Sequence, residues 1–122
     1  MPDDTLAPAF DKLRRAAAGL PNISEGTSYG TPSLRAGKKF LARVKDADTV
    51  AVMCPLEEKE VLLAAAPEFY FETDHYRGWP AMLVRVHDIP IEELAHRLER
   101  AWQIQATPKM LKARGPAGRS GG

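Results

Sequence analysis

The residues in this chain best suited to chemistry are cations. Arg35, Lys38, Lys39, Arg43 and Lys45 follow closely on one another, and no aspartate or glutamate falls between Glu25 and Asp46. A block of this kind neutralises phosphates, with an affinity that falls as salt rises. The competing reading is that exposed strand positions carry lysine and arginine to discourage edge pairing. A second group lies between Thr73 and Pro80, where His75, Tyr76, Arg77 and Trp79 crowd one loop. Aromatic rings beside an arginine stack on bases or hold a planar ligand, and histidine exchanges a proton near neutral pH. Those rings can equally plug the end of a core, with His75 capping a turn. Towards the C-terminus every charge after Glu99 is positive: Arg100, Lys109, Lys112, Arg114 and Arg119. Lys109 joins the hairpin cations as a phosphate-binding candidate, although a basic tail also serves solubility.

Other chemistries find little support. His75, His87, His96 and Cys54 stand at no metal-ligand spacing, and the first helix turns basic where a ridge of carboxylates would be needed. There is no phosphate-cradling glycine loop and no nucleophile elbow. Cys54, beside Pro55, reads as a small buried residue. The expectation is no metal, no cofactor and no named catalytic residue, although Glu25, Tyr29 and His75 are types capable of acid–base work.

The bulk numbers bound the rest. At 122 residues, 44% hydrophobic and 27% charged, the chain has the size and composition of one globular domain. Its net charge is +1, so any case for nucleic acid rests on how charge is distributed. The distribution is lopsided: six carboxylates lie between Glu57 and Asp74 against Lys59 alone. One cysteine excludes an internal disulfide and suits a reducing compartment, and no apolar run approaches the roughly 18 residues of a membrane span. A cytoplasmic protein, monomeric or weakly dimeric, is the expectation.

The elements that must position these groups follow from periodicity. Leu6, Phe10, Leu13, Ala17 and Leu20 lie on one stripe of a first helix, which Asp3, Asp4 or Thr5 can cap and Gly19 with Pro21 ends. The stretch from Glu25 to Phe40 reads as two short strands around turns at Tyr29-Gly30 and Ala36-Gly37-Lys38. In the strand Lys39–Lys45, Phe40, Ala42 and Val44 alternate with Leu41, Arg43 and Lys45. Thr49–Met53 reads as a central strand, followed by a helix opened by Pro55, a short aromatic strand from Phe69 to Glu72, and a strand Ala81–Val86. Asp88 is placed to cap the last helix, whose stripe is Ile91, Leu94, Leu98, Ala101, Trp102 and Gln105, with Pro108 breaking the pattern. From Ala113 a Gly/Pro/Ser/Arg-rich tail is expected to be disordered. The order predicts an α+β domain, residues 1–112, with a mainly antiparallel sheet.

Four motifs in order resemble the MmcQ/YjbR family: Glu25-Gly26-Thr27-Ser28-Tyr29-Gly30-Thr31-Pro32, Gly37-Lys38-Lys39-Phe40-Leu41-Ala42-Arg43, His75-Tyr76-Arg77-Gly78-Trp79-Pro80, and Trp102 with Ala106-Thr107-Pro108-Lys109. The resemblance runs from about Phe10 to Leu111. It implies a fold similar to bacterial frataxin, CyaY, in a double-wing arrangement, and DNA binding without established catalytic residues. The basic hairpin would then act as a wing along a DNA groove. The alternative is a pocket for a small molecule or a protein segment between Glu25, Tyr29, His75, Tyr76, Arg77 and Trp79, if the family fold brings that loop near Tyr29.

Overall fold

The structure, a computed structural model, describes residues 4–114. A 3-10 turn over Asp4–Leu6 leads into α1 (Ala7–Ala16). Leu6 rather than Asp4 or Thr5 takes the N-cap position, and it makes no side-chain cap; the helix ends at Ala16, short of Gly19. Ala9, Leu13 and Ala16 are its buried face.

Four strands then run back and forth: β1 (Ile23–Ser28), β2 (Thr31–Ala36), β3 (Lys39–Asp46) and β4 (Thr49–Met53). The β1–β2 turn holds two residues of positive φ, Tyr29 at 54° and Gly30 at 80°, as in the primed turns that match the twist of a hairpin. The β2–β3 turn is Gly37-Lys38, and Gly37 takes φ 61°. After α2 (Leu56–Ala65) come β5 (Tyr70–Phe71), β6 (Ala81–Arg85), α3 (Ile91–Gln105) and α4 (Pro108–Arg114). The strands form one antiparallel sheet in the order β1-β2-β3-β4-β6-β5. This is the α+β architecture expected, with Thr49–Met53 in the interior of the sheet.

Leu34, Ala36, Ala42, Val44, Val50, Val52, Met82, Val84 and Tyr70 project from one face into the core. There they meet Ala9 and Leu13 of α1 and Leu94, Leu98, Ala101 and Trp102 of α3. α2 packs on the same face: its Glu58 and Leu62 share a small cleft with Val52, Tyr70, Met82 and Val84 of the sheet and with Arg97 and Arg100 of α3. Two side chains of α3 tie the layers together. Trp102 Nε1 donates to the Pro21 carbonyl at 2.8 Å, and Gln105 Nε2 donates to the Phe40 carbonyl at 2.8 Å.

Three expectations change. A β-bulge shifts the register between Leu34 and Arg35, so Leu34 faces Ala42 while Arg35 faces Phe40, and Leu41 is the extra residue. Leu41 is therefore fully buried in the core, and Phe40, expected inside, stands outside it beside Arg35. Pro90 rather than Asp88 occupies the N-cap of α3, again with no side-chain cap. Pro108 ends one helix but starts another: its fixed φ and missing N–H suit a first helical position. Ala113 and Arg114 thus belong to α4, and the rest of the expected tail lies outside the described residues.

Candidate functional site

Residues that alternate with the core positions face away from the helices. The strand register carries one such row across the sheet: Gly26, Ser33, Arg43, Ala51, Leu83 and Phe71. Beside it, Thr49 faces Arg85 on the same side. Arg35 lies between the buried Leu34 and Ala36 and so shares this outer face. The face carries arginines at Arg35, Arg43 and Arg85. Asp46 is the one carboxylate on a described strand of this face, at the β3–β4 turn, where it meets Lys45 Nζ at 3.7 Å and accepts the Asp48 N–H at 2.9 Å.

Two of the arginines lie against aromatic rings. The Arg43 guanidinium sits 5.2 Å from the Tyr29 ring centroid, and that of Arg85 sits 4.4 Å from Phe71. Such pairs hold a guanidinium flat while leaving its charge unneutralised. Tyr29 is 89% exposed at the tip of its turn. A bulky residue at positive φ stores strain on the order of 1 kcal/mol or more, and such outliers gather at functional sites. Beneath the arginines, Ser33 Oγ and Arg43 Nε are both buried with no hydrogen-bond partner, on facing residues of β2 and β3. Buried polar atoms without partners are uncommon and call for a reason.

Of the predicted phosphate-binding set, Arg35 and Arg43 fall on this face, while Lys38 and Lys39 stand exposed at the β2–β3 tip. Lys45 is drawn to Asp46. Lys109 is exposed on α4, which reaches the same tip: a Cβ added to Gly37 would lie 3.3 Å from Met110 Sδ. Among the described residues, Arg35, Lys38, Lys39, Arg43, Arg85 and Lys109 have no carboxylate within ion-pair distance. The hairpin is not a free wing, however. β2 pairs with β1 along its whole length and β3 pairs with β4, so β2 and β3 are interior strands. Six strands spaced about 4.8 Å apart span about 24 Å, too broad for a major groove about 12 Å wide.

The proposed shared pocket does not form. Tyr29 lies at the β1 edge and the His75–Trp79 loop joins β5 to β6 at the opposite edge. Glu25 faces the helices and meets Arg14 at 3.6 Å. Arg77 pairs with Asp74 at 3.1 Å, His75 is exposed, and Trp79, 60% exposed, does not plug the core. Lys59 organises the loop instead. Buried to 2% exposure, its Nζ meets Glu72 at 2.8 Å and donates to the carbonyls of Tyr76 at 2.6 Å and Trp79 at 3.1 Å. Among the described residues no group of three or more His, Cys, Asp or Glu side chains is placed to hold a metal ion. Burial, with the charge of Glu58 second, pushes the Cys54 thiol up to about 11, away from nucleophilic use.

Sequence reading missed Arg85, Phe71 and Lys59. The signal for Arg85 was available: alternation in Ala81–Val86 sets it opposite Met82, Val84 and Val86. Its membership of the Arg43 face needed the strand order. Nothing in the local pattern marked Lys59, the single cation of an acidic stretch, as buried.

No helix among the described residues is long and apolar enough to cross a membrane. The family model YjbR matches residues 18–104, a span that includes three of the four motifs and Trp102 of the fourth. The chain is 31% identical over 123 residues to the uncharacterized protein Mb2600 of Mycobacterium bovis, covering 85% of this chain and 93% of that one. The uncharacterized protein Rv2570 of Mycobacterium tuberculosis (strain H37Rv) matches with the same identity and coverage. No solved structure matches the chain significantly. With most of its length matched in this way, the chain belongs to the YjbR family.

Proposed function

We propose that this protein binds nucleic acid, DNA in the first instance, through the outer face of its sheet and the adjoining β2–β3 tip, and performs no reaction on it. The observation that carries the reading is a face of arginines without carboxylates. Among the described residues Arg35, Arg43 and Arg85 share the face away from the helices with no carboxylate within ion-pair distance, whereas on the helix side Arg14, Arg97, Arg100 and Arg114 are each paired with a glutamate. Cations held unpaired on one face attract a polyanion to that face and orient it there. Lys38, Lys39 and Lys109 extend the positive surface around the tip.

The test is a fluorescence-anisotropy titration of a labelled DNA with wild type and with the Lys38→Glu, Lys39→Glu, Arg85→Glu triple variant, at two salt concentrations. All three positions are exposed, so circular dichroism should report an unchanged fold. The expected result is salt-sensitive binding by wild type and at least tenfold weaker binding by the variant. Equal, salt-insensitive affinities would sink the proposal.

A further inference from the structure

Resting on that reading, we infer that the ligand is single-stranded: an extended nucleic-acid strand lying across the outer face from Tyr29 to Arg85. Duplex DNA offers a groove, and among the described residues this sheet has no projecting ribbon or outer-face helix to place in one. What the face offers instead is flat and stacked. Bases without a pairing partner stack on aromatic rings and on the planes of arginine guanidinium groups. Tyr29 presents such a ring, and Arg43 and Arg85 bring guanidinium groups to the face, 5.2 Å and 4.4 Å from the ring centroids of Tyr29 and Phe71.

The positions form a track. The β1–β2 turn with Tyr29, the end of β3 with Lys45, Thr49 of β4 and Arg85 of β6 lie at the same end of the sheet. From β2 to β6 is three strand spacings, about 14 Å. Between the two arginines in the register lie Ala51 and Leu83, both buried beneath their neighbours, so the track is carried by the exposed side chains at its two ends, Tyr29 and Arg85. At the far end the track reaches an open hollow of about 150 Å³ lined by Asp48, Thr49, Arg85, His87 and Asp88. Its carboxylates and hydroxyl are acceptors and donors of the kind that read the edge of an unpaired base, and a base in a duplex is held out of reach of such a hollow. The buried and unpartnered Ser33 Oγ and Arg43 Nε add two polar atoms at the start of the track.

The experiment compares four labelled ligands of equal length: oligothymidylate, oligouridylate, a mixed-sequence DNA strand and the duplex made from that strand. Wild type is expected to bind the single strands at least tenfold more tightly than the duplex, and the two homopolymers report whether deoxyribose or ribose is preferred. Tyr29→Asn removes the ring and keeps a residue that tolerates positive φ; it should weaken single-strand binding about tenfold, within the range measured for one stacked base. Arg85→Glu should do at least as much. Duplex binding as tight as or tighter than single-strand binding overturns this inference and leaves the nucleic-acid reading standing. Binding of neither form overturns both. Single-strand binding that ignores both substitutions also overturns it, because the strand then lies elsewhere.

Discussion

At the scale of single residues, Tyr29 has a cost that its fold does not explain. The turn requires positive φ at two positions, and asparagine or glycine meets that requirement without a bulky side chain. Replacing Tyr29 with Asn relieves strain of about 1 kcal/mol. It also removes the contact with Arg43, worth about 0.5–1 kcal/mol at an exposed site. The two nearly cancel, so urea denaturation should find stability unchanged within about 1 kcal/mol while nucleic-acid affinity falls. A large loss of stability would make Tyr29 a structural residue instead.

Lys59 presents the opposite case. Removing it by Lys59→Met leaves Glu72 and two carbonyls without their partner at the base of the His75–Trp79 loop. Breaking a buried pair from one side costs about 3–5 kcal/mol, and the partial exposure of Glu72 moves the expectation to the lower end. Denaturant unfolding of the variant should show a loss of about 3 kcal/mol, with DNA affinity of the folded fraction unchanged.

Cys54 and Tyr70 both bind their protons more tightly in the folded protein. Burial is the first cause for each, followed by the charge of Glu58 for the thiol and the hydrogen bond donated to Glu93 for the phenol. A group with a raised folded pKa favours the fold fully below its unfolded value and loses that contribution as pH rises toward the folded one. Stability should therefore decline from about pH 9 upward, as both groups begin to ionise in the unfolded chain. Thermal melts between pH 7 and 11 check this, and Cys54 should resist alkylation until the protein unfolds.

At the scale of elements, the β2–β3 hairpin and α4 decide how the cations are presented. The hairpin is legible in the sequence because Gly37 and the alternation around it are local signals. Its place between β1 and β4 is not local, and that place turns a supposed wing into the middle of a broad surface. α4 was invisible because Pro108 stops the α3 pattern, and a seven-residue helix has too few turns to show a stripe of its own. It is held by tertiary contacts: Arg114 forks onto Glu99 at 2.6 and 2.9 Å and lies 4.8 Å from the Trp102 ring, while Met110 sits over Gly37. The hydrogen bonds from Arg114 are the main cause holding the Glu99 carboxyl below its ordinary value. A depressed folded pKa stabilises above the unfolded value and is lost as pH falls through the folded one. α4 should thus loosen below about pH 4.5. Arg114→Ala should loosen it already at pH 7, at a cost of about 1–2 kcal/mol. Hydrogen exchange of the amides from Met110 to Arg114 reads both effects.

At the scale of the whole molecule, a net charge of +1 conceals a face of arginines without carboxylate partners on one side of the sheet and paired cations and carboxylates among the helices on the other. If a single strand contacts Arg43, Lys45 and Arg85, three phosphates at about −0.7 each predict a slope near −2 for log affinity against log salt. A slope near zero would leave the arginines without a phosphate role. Arg85→Glu should make the slope shallower, because it removes one of the three contacts.

Local chemistry alone determined the order of elements as far as α3, the α+β class, the glycine turns and the family, since these rest on periods of two and 3.6 residues and on short motifs. The inner stripe of α3 and the central character of Thr49–Met53 were readable for the same reason. The tertiary structure decided what stands beside what. A one-residue bulge exchanged Phe40 for Leu41 in the core, because the extra residue puts two consecutive side chains, Leu41 and Ala42, on the inner face and so shifts the alternation before it by one. The order β1-β2-β3-β4-β6-β5 sent Tyr29 and Trp79 to opposite edges, dissolving the expected pocket, and joined Arg85 to Arg43 on one face. Strand order and register are set by packing between residues far apart in the chain, and no local pattern carries them.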